Sequence, residues 1–590
     1  MFSATGLTPV YVGERSALAG GIENKKALIR VEPTECKEES ITDTFEYNGK
    51  FLVQKGKEFF VEGQLTFPGR NDGLEKRDGA YRTLFGPCCA HNGLIYGDSD
   101  ANVRLAFRRL TAVRKPERPG YDLQLTRNQE EFFTNETEFI DRLRDIYSGA
   151  LHSFHSIEEA ALEHHDDPHI KRALRVQAWE DLNESGERFY RLWLKKVLYK
   201  MKRDEIAKPG KVPRMIGDLG VAASLQGFVL TKLLKVAQDE NPLWVNGGTI
   251  AFCSTPAIDR LQGVFDNLLS PQGKFYMVYF SDDSCFSFRH RGRVRYYNLD
   301  ISKCDASHGP RMFEALIKIT PPHLREYMEI LVEQCKLPIE IRSKSNPKNK
   351  VKGSFKNPTL FSGSTLTTLI NNLANTFIGL CLSRAVQELE DRDYEDEELA
   401  AYFEAHAEKC GYIVTGFKGD DLCRKPEDIQ FLKYSPVLDI DGTYRPVLNL
   451  GVLLRASGTC RGDLPGSKRQ TIESRAREFQ FALLQGMYPR TTFPFLETMK
   501  DSTGRHTNDK AVRRINNRLQ YRIDETASAP VHHFSDEDVL RRYDLTPLEY
   551  TELREFSRAT TFEHTSSTFI TKILRSEERR VGKECRSRWS

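Results

Sequence analysis

The stretch "KFYMVYFSDDSCFSF" (Lys274–Phe288) constrains the chain more than any other. Phe275–Phe280 are all apolar or aromatic, a run too short for a stable buried helix and rich in strand formers. A polar turn carrying Asp282 and Asp283 follows, and Cys285, Phe286 and Phe288 then supply an apolar return. The pattern predicts a buried β-hairpin with a carboxylate pair at its turn. A second acidic pair, Asp420–Asp421 in "TGFKGDDLCRKPED" (Thr415–Asp428), has a strand-like segment on one side only. Its other flank carries charges and Pro426, which argue against a central strand.

Hydrophobic residues make up 39% of the chain and charged residues 29%, the balance of a soluble globular protein. No apolar stretch approaches about 18 residues and the N-terminus lacks a basic-then-apolar signal layout, so any membrane attachment is expected through a partner. The twelve cysteines include no CxxC pair, which disfavours a zinc ribbon or a disulfide framework and suits reduced thiols. His152, His155, His164, His165 and His169 cluster without cysteines or a helical HExxH, and exposed helix ends are the plainer reading than zinc. The last sixteen residues, "RSEERRVGKECRSRWS" (Arg575–Ser590), resemble the conceptual translation of a sequencing-library adapter; a basic tether for nucleic acid is the alternative. With six Lys/Arg and three Glu they account for the whole net charge of +3. A neutral body is still compatible with nucleic-acid binding, which needs only a local basic stripe.

Residues 1–130 read as β-containing, and Asn128 to Lys202 as helical, with apolar positions three and four apart. "KPGKVPR" reads as a basic loop, strands return at 275–300, and "MFEALIKI", "LREYMEILVEQC" and "LTTLINNLANTFIGLCLSRAVQELE" read as helices. "GYIVTGF" reads as a short strand and the remainder to about Leu574 as mostly helical. The class expected is α+β, a small sheet surrounded by helices.

Two further segments carry candidate chemistry. In "VRYYNLDISKCDASHGPRMFEAL" (Val294–Leu316) a strand ends at Asp300 and Asp305 follows beyond a turn. A carboxylate fixed on a strand suits a metal ligand, and one beyond a turn suits a polar contact to substrate. Taken alone, the spacing is also that of a helix cap, and "SHGPRMFEAL" looks like a helix start with Pro in its first turn. Cys304 reads as a small space-filler. In "FSGSTLTTLINNLANTF" (Phe361–Phe377), Ser362–Gly363 make a turn, and Thr367 and Asn371 follow four apart on one helical face. An ordinary capped helix with a polar stripe would look the same.

Together, D-x4-D-A-S-x-x-P with "FEAL", then S-G-x3-T-x3-N-N, resemble two palm motifs of viral RNA-directed RNA polymerases, those of picornavirus-like positive-strand viruses in particular. The resemblance implies a right-hand fold of fingers, palm and thumb, with a small antiparallel palm sheet. It implies that Asp300 binds metal, and that Asp305 and Asn371 read the ribose 2′-hydroxyl of the incoming nucleotide, with Ser362, Gly363 and Thr367 in support. "MKRDEIAKPGKVPRMIGDLG" resembles the basic fingers loop, in which Lys211 and Arg214, with Lys208 nearby, would grip the triphosphate. "CGYIVTGFKGDD…EDIQFLKYSP" resembles the two motifs that follow the palm core: Lys418 would be the general acid for pyrophosphate, and Phe431–Lys433 would begin the primer grip.

On this resemblance the Asp282–Asp283 hairpin is the metal-binding one and precedes Asp300, a permuted order known among birnaviruses and permutotetraviruses. Ordinary order, with Asp420 and Asp421 on the metal, is the alternative, and a reverse transcriptase is a second. The implied domains are 1–150 N-terminal extension and fingertips, 151–274 fingers, 275–310 palm, 311–359 fingers insertion, 360–455 palm and 456–574 thumb, with 575–590 the adapter-like tail. The implied cofactor is Mg²⁺ or Mn²⁺. Implied partners are template and nascent RNA, ribonucleoside triphosphates and other viral replication proteins, in replication complexes of the host cytoplasm.

Overall fold

The computed structural model describes residues 121–152, 194–201, 215–253, 258–342, 350–355, 357–457, 459–461, 469–503, 530–558, 569–570 and 572–573, with six short strands before residue 121. The fold is α+β, as expected, with two larger sheets beside several two-stranded ones among the described residues. One is six-stranded. It contains β1 (Leu243–Val245), β2 (Gly248–Phe252), β3 (Phe275–Phe280), β4 (Asp283–His290), β5 (Arg293–Ile301) and β6 (Val414–Thr415), in the spatial order β6-β5-β4-β3-β2-β1. It is antiparallel except where β2 runs parallel to β3. The β1–β2 hairpin was not anticipated, although "VNGG" is a recognisable turn signal; Asn246 and Gly247 take the positive φ values such a turn needs, 50° and 82°.

The expected hairpin is present. β3 and β4 pair from Phe275↔Phe288 to Phe280↔Asp283, leaving Ser281 and Asp282 as the turn. Because side chains alternate across a strand, the sheet packs on both faces. Phe286, Phe288, Tyr297 and Leu299 join the core formed with α2 (Pro310–Ile319), α3 (Thr367–Gln387) and α4 (Asp396–Ala407). Tyr276, Val278 and Cys285 join a second core formed with α1 (Ile258–Leu269) and the hairpin β7 (Tyr434–Leu438)–β8 (Tyr444–Leu448). α3 is buried almost all round, so its asparagines must find partners inside the protein.

A seven-stranded sheet orders Glu46–Tyr47, Phe51–Gln54, Lys57–Glu62, Lys350–Phe355, Ile339–Arg342, Val197–Met201 and Met215–Asp218. Here one expectation fails: Val197–Met201, read as part of a helical stretch, is a strand. Val197 and Tyr199 are buried while Lys200 is exposed, a period of two, and the segment pairs with Ile339–Ile341 on one side and Met215–Asp218 on the other. This sheet meets the turn before α3 where Gly217 donates its N–H to Ser362 O at 2.8 Å. Gly363 takes φ 101° there, and a Cβ on it would lie 2.3 Å from Gly217 O, so the contact requires glycine.

Candidate active site

The register of β4 on β5 sets the site. Asp283 lies directly opposite Asp300, and Cys285 opposite Asn298. Opposed residues in an antiparallel pair share a face with Cβ atoms about 5 Å apart. The contact of Cys285 Sγ with Asn298 Oδ1 at 3.5 Å bears out that shared face. Asp282 is exposed in the adjoining turn. On the other side of β5, Thr415 lies opposite Asp300 and its hydroxyl donates to Asp300 O at 3.2 Å.

The turn is held from behind by α3. Ser281 takes φ 56°, a conformation that costs a non-glycine residue about 1–2 kcal/mol. Three asparagines offset this. Asn372 Oδ1 accepts the Ser281 N–H at 2.7 Å, Asn371 Nδ2 donates to Ser281 Oγ at 3.2 Å, and Asn375 Nδ2 donates to Ser281 O. Sequence reasoning singled out Asn371 alone of these; "NNLAN" inside an apolar helix was the signal for the other two.

Asp305 and Asn371 do come together. Ser362 Oγ donates to Asp305 Oδ2 at 2.7 Å, and Asn371 Nδ2 lies 3.5 Å from Asp305 Oδ1. Tyr199 of the second sheet packs edge-on against Phe361 beside this corner, with ring centroids 5.8 Å apart, and burial holds its phenol well above the ordinary value. Thr367 does not reach the pair; its hydroxyl donates to Phe361 O and Ser364 O at 3.2 and 3.0 Å and so closes the turn before α3. Cys304 is more than a filler, since its thiol lies 3.2 Å from Asn371 Oδ1.

The chain after β6 runs away from Asp300. Thr415 faces Asp300, but Phe417 packs on Tyr297 with ring centroids 5.3 Å apart, and Arg424 pairs with Asp396, which also holds Arg295. Gly419–Asp421, a 3-10 turn with no buried residue, lies in the chain between those points. Lys418 forms an ion pair with Glu404 at 2.9 Å. The chain then returns across the aspartate face. Asn298 Nδ2 donates to Asp428 O at 2.7 Å, Gln430 N–H donates to Asn298 Oδ1 at 2.9 Å, and Leu432 N–H donates to Asp283 Oδ2 at 3.2 Å. The Phe431–Lys433 turn thus sits against the acidic hairpin, with Leu432 and Lys433 at φ 50° and 69°.

Lys208, Lys211 and Arg214 lie outside the described residues, as do His155, His164, His165 and His169; His152, at a helix end, lies with Nδ1 2.6 Å from Gly149 O. Among the described residues, no three His, Cys, Asp or Glu side chains form a ready-made metal cage, and no helix is long and apolar enough to cross a membrane.

No protein-family profile matches the chain, and no curated protein matches it. Among solved structures it is similar to the X-ray structure of the birnavirus VP1-VP3 complex, at 13% identity and a TM-score of 0.35, over 60% of this chain and 50% of that one. The match spans half the length of that chain, and an overlap at this score decides neither fold nor activity.

Proposed function

We propose that the protein is an RNA-directed RNA polymerase that joins ribonucleotides on an RNA template. One observation carries the reading: Asp283 stands opposite Asp300, and the turn beside them is bonded to the same asparagine that meets Asp305. A carboxylate set and a polar corner for a sugar hydroxyl are thereby adjacent, which is what selective nucleotidyl transfer to RNA requires. The motif resemblance supports the same reading. In this proposal the order is permuted, with the Asp282–Asp283 hairpin ahead of Asp300 in the chain.

Asp282, Asp283 and Asp300 would hold Mg²⁺ or Mn²⁺. The oxygen-only donor set fits a hard cation, and Mg²⁺ is commonly held by one or two carboxylates plus waters and substrate phosphates, so no preformed three-ligand cage is needed. When bound, such ions polarise the phosphoryl oxygen and stabilise the attacking and leaving oxygens. The chain's own groups do the rest. Asp305, fixed by Ser362, and Asn371 offer an acceptor and a donor to a 2′-hydroxyl, and a deoxy sugar would forgo both contacts. Lys211 and Arg214 would take the triphosphate, and Phe431–Lys433, anchored on Asp283, would support the primer end. The right-hand division into fingers, palm and thumb, other viral replication proteins as partners, and a place in cytoplasmic replication complexes belong to the same proposal.

The test is primer extension by the full chain on an RNA template with Mg²⁺ or Mn²⁺. Template-directed incorporation of ribonucleotides, far above that of deoxyribonucleotides, is expected. Absence of incorporation overturns the reading. Equal use of both sugars removes the role of Asp305 and Asn371, and preference for deoxyribonucleotides favours a reverse transcriptase.

A further inference from the structure

With Asp305 accepting the proton of a sugar hydroxyl, the side-chain amide of Asn371 can bond the same hydroxyl only through its NH₂, not its oxygen, on the side that faces Asp305. Rotation of an amide by 180° exchanges the two, so something must fix the orientation. Behind Asn371 lies His308, buried, with Nε2 2.7 Å from Asn371 Oδ1 and Nδ1 2.8 Å from the Tyr412 hydroxyl. Tyr412 is itself fully buried.

The donors fall in one consistent order. Asp305 is a carboxylate that accepts from Ser362, so the Asn371 group facing it is the NH₂. Asn371 Oδ1 then faces His308, which must present Nε2–H. Nδ1 is left as the acceptor for Tyr412 O–H. Turning the amide over would set its oxygen against the Asp305 carboxylate, and would set its NH₂ against Nε2–H unless His308 moved its proton to Nδ1.

We infer that His308, held by Tyr412, is a positioning residue for ribose selection: it fixes the amide of Asn371 so that its NH₂ faces Asp305. The inference rests on the polymerase reading above, and it assigns a selectivity role to two residues that do not touch substrate. His308 comes from the segment between Asp305 and α2, and Tyr412 from the segment before β6, so two separate parts of the chain set an amide carried by a third, α3.

The test compares kcat/KM for a ribonucleotide and its 2′-deoxy analogue in single-nucleotide incorporation by the full chain. His308→Leu should lower the ribo-to-deoxy ratio about five- to tenfold, the loss expected from one hydrogen bond. The change should come from a raised KM for the ribonucleotide, with the deoxynucleotide unaffected. His308→Gln, whose terminal NH₂ can still donate to Asn371 Oδ1, should keep the ratio within about twofold. Tyr412→Phe, which removes one oxygen, should lower the ratio about two- to threefold and carries the test if His308→Leu does not fold. Equal loss for both sugars in His308→Leu, or an unchanged ratio in both His308→Leu and Tyr412→Phe, overturns the inference while leaving the polymerase reading intact. A wild-type protein with no ribonucleotide incorporation overturns the polymerase reading and this inference with it.

Discussion

At the scale of single residues, Lys418 separates a resemblance from a geometry. The resemblance makes it the general acid for pyrophosphate, yet its ammonium is held by Glu404 at 2.9 Å, one residue beyond Phe417, whose ring packs on Tyr297. Its side chain is 62% exposed, and an exposed ion pair contributes only about 0–1 kcal/mol, so exchange of Glu404 for a phosphate is energetically open. The two roles predict different kinetics. A general acid acts in the transition state, so Lys418→Leu should lower turnover about 10²–10⁴-fold under chemistry-limited conditions while Glu404→Gln does not. If the ion pair is the whole role, both variants retain turnover and each loses at most about 1 kcal/mol in denaturant unfolding.

At the scale of elements, the β7–β8 hairpin depends on one buried carboxylate. Asp439 accepts the Thr443 N–H at 2.8 Å, the Asp441 N–H at 3.0 Å and Arg445 Nε at 3.0 Å. Burial pushes its carboxyl up, but the backbone donors and the Arg445 guanidinium outweigh burial and hold it below its ordinary value. A depressed folded value contributes stability that is present above the unfolded value, about pH 3.9, and is lost as pH falls through the folded one. Asp439→Asn should therefore cost about 1 kcal/mol at pH 7 and remove part of the acid destabilisation below about pH 4. A denaturant series at both pH values checks this, and parallel losses at both would contradict it. The same elements show what a sequence makes legible. The β3–β4 hairpin could be read because both strands are buried and the turn is acidic, and α3 because its apolar run is long. Val197–Met201 could not, because charged neighbours mimic a helical face and its partners lie more than a hundred residues away for Ile339–Ile341. In the site, Asp305, Ser362 and Asn371 were legible as a resemblance. The hold of Asn372, Asn375 and His308 on them was not, since it arises only when α3 packs behind the hairpin.

At the scale of the whole molecule, chain order and spatial order differ, and the two acidic pairs make that testable. A sheet's neighbours are set by hydrogen-bond register, so a hairpin can stand beside β5 whether it comes before or after it in the chain. Asp283 is opposite Asp300, whereas Asp420 and Asp421 follow a strand that leaves Asp300 at Thr415 and runs toward Tyr297. In the proposed permuted order, Asp282→Asn or Asp283→Asn should abolish synthesis, because each removes a negative ligand from a cation site. Asparagine keeps an acceptor for the Leu432 N–H, so melting temperatures should stay close to wild type and exclude unfolding as the cause. The double variant Asp420→Asn, Asp421→Asn should keep most activity, since its carboxylates sit on a turn with no buried residue after Lys418. The opposite outcome, with the double variant dead and Asp283→Asn active, would restore ordinary order and make the hairpin carboxylates a structural turn. Raising the Mg²⁺ concentration supplies an independent check. A weakened cation site should recover some rate as the ion approaches saturation, as binding by mass action requires. A variant that is inactive for structural reasons should not.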